Sequence, residues 1–364
     1  MRNSRLAAAI VALLMASVGG LARPAYAGGP GDPILGDLDG DGLLDRARLR
    51  TDPSDRCVVL VESGRAGSGY GAAVPHEYAL PNGGGCPDLG VAVDLDRDGR
   101  AELVVGRYGG LNGRNAPDLV VLRDFRMSVQ LDGLAKPNAL GRADFNADGL
   151  LDVYGWTDQG QGFASYLNTG TGTLVPGPVR YCARSLQYGL ADFDRNGATD
   201  LAIAYRDGCT GQPSQGVAVV LDDGTVVQLL GGDDGSQSRT VHVLDANTDG
   251  MPDVIAYYQR TTPITTFLSL GDGTFAASPL AVPDQMTVSV QGSTRIAALA
   301  NDQISTRATV DIVSPPAAGA VEVNPDRSIT YTPDGSSNAT DRFVYRISQD
   351  GRTSDAPVTL VIVR

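Results

Sequence analysis

The sequence contains 364 residues, with 46 glycines, 21 prolines and only 6% aromatic residues. This composition is typical of many short strands joined by tight turns, so we predict an all-β protein that is long enough for two domains. The formal net charge of −13 argues against a nucleic acid as the partner.

The N-terminal segment predicts export. Two arginines precede an apolar run over residues 6–18, and Ala25-Tyr26-Ala27 then has the small-x-small pattern of a signal-peptidase site. We therefore expect a signal peptide at residues 1–27 and a secreted chain that begins at Gly28. A membrane-spanning helix needs about 20 apolar residues, so we expect no membrane span.

The four cysteines, Cys57, Cys86, Cys182 and Cys209, predict two disulfides in an exported chain. None of them has the short spacing that zinc ligands use. Three pairings are possible in principle. The entropy of loop closure favours the local pairs, Cys57 with Cys86 and Cys182 with Cys209.

A nine-residue acidic pattern recurs five times, about every 50 residues, which is the sign of a repeat architecture. Aspartate or asparagine occupies positions 1, 3 and 5, glycine occupies position 6, and a carboxylate occupies position 9. The five copies are DLDGDGLLD at 37–45, DLDRDGRAE at 94–102, DFNADGLLD at 144–152, DFDRNGATD at 192–200 and DANTDGMPD at 245–253.

Side-chain oxygens at positions 1, 3, 5 and 9, with a main-chain carbonyl at position 7, would enclose a hard cation that takes about six to eight oxygen ligands. Calcium fits this description better than magnesium, so we predict up to five Ca²⁺ ions. The alternative is an acidic surface turn without a metal. The predicted ligands are Asp37, Asp39, Asp41, Leu43, Asp45, Asp94, Asp96, Asp98, Arg100, Glu102, Asp144, Asn146, Asp148, Leu150, Asp152, Asp192, Asp194, Asn196, Ala198, Asp200, Asp245, Asn247, Asp249, Met251 and Asp253.

The pattern does not predict an EF-hand, because an EF-hand needs a glutamate at position 12 and a helix on each side. Position 12 is Arg48, Val105, Gly155, Ile203 or Ala256 in the five copies. Most copies are followed by a segment rich in the β-branched and aromatic residues that strands favour. We therefore predict that each copy is a hairpin turn between two strands.

These loops resemble those of the FG-GAP and VCBS repeat family, the calcium-bearing hairpins of integrin α-subunit propellers and related bacterial surface proteins. The resemblance covers residues 28–283. Together with the repeat count, it implies a five-bladed β-propeller with four-stranded blades. The fourth repeat illustrates one blade, with predicted strands at 188–193, 200–205, 216–221 and 225–230.

If each loop joins the first two strands of its blade, all the ions lie on one face of the propeller. The second strands then end on the other face, where the resemblance implies a ligand site. Aromatic and arginine side chains on that rim would suit a sugar or an extended peptide. The alternative is that Tyr205 and Tyr258 pack between blades. The candidate residues are Arg107, Tyr108, Trp156, Tyr205, Arg206, Tyr258 and Arg260.

The C-terminal segment, residues 284–364, lacks the loop pattern and contains alternating threonine, valine and serine residues, as in 328–332. About seven short strands in this length indicate a β-sandwich. The segments 298–302 and 340–345 resemble parts of cadherin-like or bacterial Ig-like domains. This resemblance implies a small Ig-like module after the propeller.

These observations together predict a monomeric, secreted binding or adhesion protein with an extracellular glycan or protein as its ligand. We do not expect an enzyme, because the chain has only two histidines, His76 and His242, and lacks a nucleophile elbow or a zinc-protease motif. Two alternatives stay open: a hydrolase or lyase that acts on a polysaccharide, and a purely structural matrix protein.

Overall fold

The computed structural model describes residues 27–67, 69–80, 85–108, 119–131, 136–157, 162–231, 239–247, 249–258, 262–335, 339–349 and 352–363. Within these ranges the protein consists of 28 β-strands and one short 3₁₀ helix, Ala298–Asn301, so the all-β prediction is confirmed. The described part contains no helix with the length and apolarity that a membrane crossing requires. Residues 1–26, most of the predicted signal peptide, lie outside the described residues.

The N-terminal part folds into consecutive antiparallel meanders, each with four strands in chain order. A two-residue strand, β1 (Ala27–Gly28), precedes them and adds a fifth strand to the third sheet. Sheet 1 contains β2 (Ile34–Gly36), β3 (Asp45–Thr51), β4 (Cys57–Glu62) and β5 (Val74–Tyr78). Sheet 2 contains β6 (Leu89–Val93), β7 (Glu102–Gly106), β8 (Leu119–Arg123) and β9 (Arg126–Leu131).

Three further meanders follow in the same form. Sheet 3 contains β10 (Ala139–Ala143), β11 (Asp152–Trp156), β12 (Phe163–Asn168) and β13 (Leu174–Tyr181). Sheet 4 contains β14 (Arg184–Ala191), β15 (Asp200–Arg206), β16 (Gln215–Val220) and β17 (Val226–Gly231). Sheet 5 contains β18 (Arg239–Leu244), β19 (Asp253–Tyr258), β20 (Thr262–Ser269) and β21 (Phe275–Ser278).

The inner sheets are apolar on both faces because each lies between two neighbouring sheets. In β7, Val105 packs with residues of sheet 1, whereas Val104 packs with residues of sheet 3. Successive side chains of a strand point to opposite faces, so all five residues of β7 are buried. Leu201 and Ala202 of β15 are divided in the same way between sheets 3 and 5.

The five nine-residue patterns, called loops 1–5 in chain order, each join the first two strands of the meander in sheets 1–5. Backbone hydrogen bonds between neighbouring sheets bring these loops to one common edge, the loop edge. Ala101 N–H of loop 2 donates to the Asp37 carbonyl of loop 1 at 2.7 Å. Thr199 N–H of loop 4 donates in the same way to the Asp144 carbonyl of loop 3 at 2.8 Å.

In some loops the carbonyl at position 2 also accepts a hydrogen bond, which comes from the sheet or domain that follows in the chain. In loop 2, the Leu95 carbonyl accepts the N–H of Gly172 from sheet 3 at 2.7 Å. In loop 5, the Ala246 carbonyl accepts the N–H of Thr306 from the C-terminal domain at 3.0 Å. The C-terminal domain therefore contacts loop 5 at the point where a further sheet would otherwise be expected.

The outer face of sheet 1 is charged, unlike the faces of the inner sheets. Arg46 makes two hydrogen bonds to Glu62, at 2.6 and 2.9 Å, and Arg48 lies 3.8 Å from the same carboxylate. Hydrophobic clusters of described residues join each sheet to the next in the series. None of these clusters of described residues joins sheet 5 to sheet 1.

The C-terminal part is a sandwich of two sheets. Its larger sheet has the order β22–β28–β27–β24, with β22 parallel to β28, and its smaller sheet has the order β23–β26–β25. Alternate residues of β27, such as Phe343 and Ile347, are fully buried and pack with Tyr331 of the facing sheet. The strands are β22 (Asp284–Ser289), β23 (Thr294–Ile296), β24 (Thr309–Ser314), β25 (Gly319–Val323), β26 (Ile329–Pro333), β27 (Thr340–Gln349) and β28 (Arg352–Val363).

Both disulfides lie away from the loop edge. Cys57, at the start of β4, is joined to Cys86 in the connection between sheets 1 and 2. Cys182, in the connection between sheets 3 and 4, is joined to Cys209 between β15 and β16. The two local pairs predicted from the sequence are confirmed. Each bridge ties a connection between sheets to a neighbouring sheet.

Candidate metal centres

The backbone of the five loops follows one shape. The glycine at position 6 has a positive φ in every loop, from 81° at Gly42 to 91° at Gly197. Only glycine adopts this left-handed conformation without steric cost, which explains its presence in all five copies. In loop 1 this turn places carboxylate oxygens of positions 1, 3 and 5 within 4.8 Å of one another.

The aspartate at position 1 fixes this turn with a side-chain hydrogen bond. In loop 1, the N–H of Gly42 donates to Asp37 Oδ2 at 2.7 Å. The same bond forms from position 6 to position 1 in the other four loops, at 2.9–3.1 Å. The loop geometry is therefore held by the chain itself, and the position-1 carboxylate is oriented before any ligand binds.

The carboxylate at position 9 is buried in all five loops and connects each loop to the sheet. In loop 3, Asp152 Oδ2 accepts the N–H of Phe145, and Oδ1 accepts the N–H of Asn168 at the end of β12, each at 2.7 Å. The aspartates at position 9 of loops 1, 4 and 5 accept the same two kinds of hydrogen bond. Each carboxylate thus joins the loop to the third strand of its meander.

Burial changes the acidity of the position-9 carboxylates of loops 3, 4 and 5. It raises the pKa of Asp152 and Asp253 to about 6 and that of Asp200 to about 7, while the backbone hydrogen bonds act in the opposite direction. Neighbouring loop carboxylates add a smaller increase to each pKa. The charged forms of these three carboxylates are therefore destabilised by their surroundings, and a nearby cation would relieve this.

Three loops bring three carboxylates together. In each of them, one oxygen from each of three side chains lies within 4.8 Å of the other two. In loops 3 and 5 position 3 is an asparagine, and its Nδ2 donates to the position-5 carboxylate at 3.0 and 2.9 Å. The three groups are Asp37, Asp39 and Asp41; Asp94, Asp96 and Glu102; and Asp192, Asp194 and Asp200.

The donor set suits a hard cation, because the side chains that converge offer carboxylate or amide oxygens and no sulfur or imidazole. Among the described residues, carboxylates of positions 1, 3 and 5 come together in loop 1, and those of positions 1, 3 and 9 come together in loops 2 and 4. The full set of side-chain ligands at positions 1, 3, 5 and 9 of every loop stays a prediction. The main-chain carbonyl of position 7 stays a prediction. The N–H of that residue donates to the position-5 side chain, for example from Leu43 to Asp41 at 2.8 Å.

Two residues at the loop edge were missed by the sequence reading. Asp222, in the turn after β16, donates its N–H to Asp200 Oδ1 and accepts the Asn196 Nδ2 at 2.7 Å. Arg123, the last residue of β8, lies 3.3 Å from both Asp96 Oδ2 and Glu102 Oε1. Both residues come from the end of the third strand, more than one strand away in sequence. No local motif marks such residues.

The seven candidate ligand residues on the edge opposite the loops, called the rim, are not all exposed. Tyr205 is fully buried; its ring lies 4.8 Å from that of Tyr181, and its hydroxyl donates to Gln228 Oε1 at 3.0 Å. Its assignment to a ligand site was wrong, because it packs between sheets 3 and 4. Trp156 is partly buried against Tyr188, with ring centroids 5.7 Å apart.

Other members of the rim remain available to a ligand. Tyr108 is 52% exposed, Arg206 is exposed and Arg107 is half-buried. The side chain of Tyr258 and the whole of Arg260 lie outside the described residues. The rim therefore has fewer exposed aromatic groups than the sequence predicted, and it stays a prediction for the remaining residues.

A cavity of about 530 Å³ lies at the loop edge between loops 4 and 5. Arg195, Asn196, Met251 and Ser269 are among the residues that line it. The residue at position 8 of loop 5 is Pro252, which has no N–H, so it cannot make the hydrogen bond with which Thr199 closes loop 4 onto loop 3.

Comparison with known families identifies the C-terminal part. Residues 276–362 match the family model described as bacterial Ig domain. The match begins eight residues before the predicted boundary at 284, and it covers less than half of the chain. No family model for FG-GAP or VCBS repeats matches, so that resemblance stays a prediction for the five sheets. No curated protein matches the chain.

The Ig-like domain and the two disulfides together indicate an extracellular protein.

Proposed function

We propose that this is an extracellular calcium-binding protein in which the loop edge holds structural Ca²⁺ ions and the rest of the molecule binds a glycan or a protein. The observation that carries the proposal is the grouping of three carboxylates within 4.8 Å in loops 1, 2 and 4. Like charges at this separation repel each other in the folded state. A divalent cation bound between these carboxylates would replace their mutual repulsion by attraction to the ion. It would thereby link the loop to its sheet.

The residues that would hold the ion are the side chains at positions 1, 3, 5 and 9 of each loop. Position 1 is already oriented by the glycine at position 6, and position 9 is tied to the third strand. An ion shared between them would link the turn, the second strand and the third strand of one sheet. Because backbone hydrogen bonds join loop 2 to loop 1 and loop 4 to loop 3, ions bound in these loops would also stiffen the edge that they share.

The test is calcium binding and thermal unfolding of the chain that begins at Gly28. We expect at least three Ca²⁺ ions per chain by calorimetric titration. We also expect a higher Tm in calcium than in chelator, since each site adds about 2.7 kcal/mol at a hundredfold excess over its Kd. Asp37→Asn should remove one ion, whereas Asp311→Asn in the sandwich is the matched control. Fewer than three ions, or equal Tm values in calcium and chelator, would overturn the proposal.

The arrangement of the sheets belongs to the same proposal. We propose that sheets 1–5 are blades of the propeller type, supported by five equal meanders whose first strands lie against one another, as β6 does against β2 and β10. A closed five-bladed ring also needs contact between sheets 1 and 5. Small-angle scattering tests this: a compact disc supports the ring, and a longer maximum dimension indicates an open row of the same sheets.

The ligand part of the proposal rests on the exposed residues of the opposite edge. Screening against glycan arrays in calcium should give binding that Tyr108→Ala and Arg206→Ala weaken about tenfold, as loss of an aromatic or arginine anchor does. Arg50→Ala, an exposed arginine of sheet 1, is the control. Negative glycan and protein screens would favour the matrix-protein alternative, and turnover of a polysaccharide would favour the hydrolase or lyase.

A further inference from the structure

Loop 2 differs from the other four loops at position 9. The other loops have aspartate there, and one of its oxygens accepts a backbone N–H from the end of the third strand, as Asp45 accepts that of Gly64 at 2.7 Å. Loop 2 has Glu102 at this position, with its longer side chain. Glu102 Oε2 accepts the N–H of Leu95 at 2.8 Å, but Oε1 faces Nε of Arg123 at 3.3 Å.

The guanidinium of Arg123 lies within the carboxylate group of loop 2. Its Nη2 atom is 3.3 Å from Asp96 Oδ2, and its Nε atom is buried beside Glu102. Asp96 and Glu102 are two of the three side chains whose oxygens converge in this loop. Arg123 therefore contacts the side chains at positions 3 and 9. A calcium ion in loop 2 would need the same two side chains as ligands.

Sheet 3 holds the guanidinium in place from the other side. A Cβ atom at Gly172 would overlap Nη2 of Arg123, so the arginine packs directly on the main chain of this turn. The N–H of Gly172 donates to the Leu95 carbonyl at 2.7 Å, which fixes the turn against loop 2. The guanidinium thus lies between the carboxylates of sheet 2 and the backbone of sheet 3, while 40% of the Arg123 side chain is exposed.

We propose that Arg123 is the resident cation of loop 2 and that this loop does not bind calcium, so that the protein takes up at most four ions at its five loops. This inference rests on the proposed calcium role of the other loops. A Ca²⁺ ion must approach its oxygen ligands to about 2.3–2.6 Å. An ion between Asp96 and Glu102 would then lie beside a guanidinium of the same sign, which has no free space to withdraw into on the Gly172 side.

The first experiment counts calcium ions in matched variants by native mass spectrometry and calorimetric titration. We expect no more than four ions in the wild type and one additional ion in Arg123→Met. Arg126→Met removes the same charge from an exposed position of the adjacent strand and should leave the count unchanged. Arg123→Lys keeps a positive charge at the site and should also leave the count unchanged.

The second experiment does not depend on the folding of an arginine variant. Asp39→Asn and Asp96→Asn remove the position-3 carboxylate of loops 1 and 2. We expect Asp39→Asn to weaken calcium binding at one site at least tenfold, and Asp96→Asn to leave the wild-type count and the calcium-dependent rise in Tm unchanged. Loss of one ion in Asp96→Asn would overturn the inference.

The outcomes separate this inference from the proposed function. Five ions in the wild type would overturn the role of Arg123 but leave the calcium function intact. Binding of no ions by the wild type would overturn the calcium function, and the inference with it. An equal ion count in the wild type and folded Arg123→Met would also overturn the inference, because the guanidinium would then not be what excludes the metal.

Discussion

The loop edge and the sandwich both bury carboxylates, but they stabilise them differently. In the sandwich, Asp341 accepts hydrogen bonds from the N–H groups of Ala317 and Ala318, each at 2.9 Å, and from the hydroxyl of Tyr331 at 3.0 Å. Burial acts to raise the pKa of Asp341, but these donors and the N–H of Arg342 lower it overall. At the loop edge, burial prevails and raises the pKa of Asp200 to about 7.

The difference lies in the neighbours of each carboxylate. Asp341 is surrounded by hydrogen-bond donors, whereas Asp200 has two backbone donors and the nearby charges of Asp194 and Asp222. A buried carboxylate with enough donors is stable as an anion without a metal. A group of carboxylates with few donors needs a cation, which is Arg123 in loop 2 and, under our proposal, Ca²⁺ in the others.

Removal of calcium should give the largest effect and should separate the two regions. We expect chelator to lower the Tm of the five sheets by on the order of 20 °C, from about 2.7 kcal/mol per site at a hundredfold excess and four sites. The sandwich should keep its Tm, because all five proposed calcium loops lie in the five sheets. Differential scanning calorimetry would record the unfolding of both regions. The fluorescence of Trp156, in sheet 3, would report the unfolding of the five sheets separately from that of the sandwich. Equal shifts in both transitions would contradict this distinction.

Truncation of the sandwich carboxylate should give a smaller effect that does not depend on calcium. Asp341→Ala removes the carboxylate that accepts the N–H groups of Ala317, Ala318 and Arg342, whereas the Tyr331 hydroxyl keeps the Ala318 carbonyl at 3.1 Å, so we expect a loss of about 3 kcal/mol. For a domain of this size, that loss lowers the Tm of the sandwich by roughly 15 °C. Thermal unfolding in calcium and in chelator measures it.

The matched control for that variant is Asp355→Ala. Asp355 pairs with Arg346 on the exposed surface of the sandwich, and exposed ion pairs contribute little to stability. We expect no measurable change in Tm. A loss from Asp341→Ala that is present in chelator but absent in calcium would contradict a role for donors alone.

The smallest effect concerns Asp284, a partly buried carboxylate of the sandwich with a raised pKa. Burial, and then the charge of Asp302, raise the pKa of Asp284 to about 6, and Asp284 Oδ2 is buried without a hydrogen bond. A carboxyl with a raised pKa binds its proton more tightly in the folded state. Its contribution to stability is therefore complete below about pH 4 and is lost as the pH rises through about 6.

Asp284→Asn removes the charge that is disfavoured in the folded state. We expect the Tm of the sandwich to rise by about 2–5 °C at pH 7.5 and to stay equal to that of the wild type at pH 4. Asp341→Asn should behave in the opposite way, because the pKa of Asp341 is lowered and its stabilisation is present above about pH 4. A gain from Asp284→Asn that is the same at both pH values would indicate a packing effect instead.

Local chemistry was readable from the sequence. The glycine at position 6, the carboxylates around it and the β-branched segments that follow all act within about ten residues, so they predicted the loops, the hairpins and the all-β class. The Ig-like sandwich was predicted from its short alternating strands and a family resemblance, and the local disulfide pairs were predicted from the entropy of loop closure. Loop 5 illustrates this: its turn and the strand from Asp253 lie where the pattern placed them.

Contacts between distant strands could not be predicted from local sequence patterns. Arg123 and Asp222 reach the loops because the register of the third strand places its end beside position 9, and Tyr205 is buried because sheets 3 and 4 pack face to face. Likewise, Thr306 meets Ala246 only because the sandwich docks on sheet 5. The sequence thus determined which turns and strands form, whereas the tertiary structure decided which charges meet. Turns depend on neighbouring residues, and charge pairs depend on register and packing across the sheets.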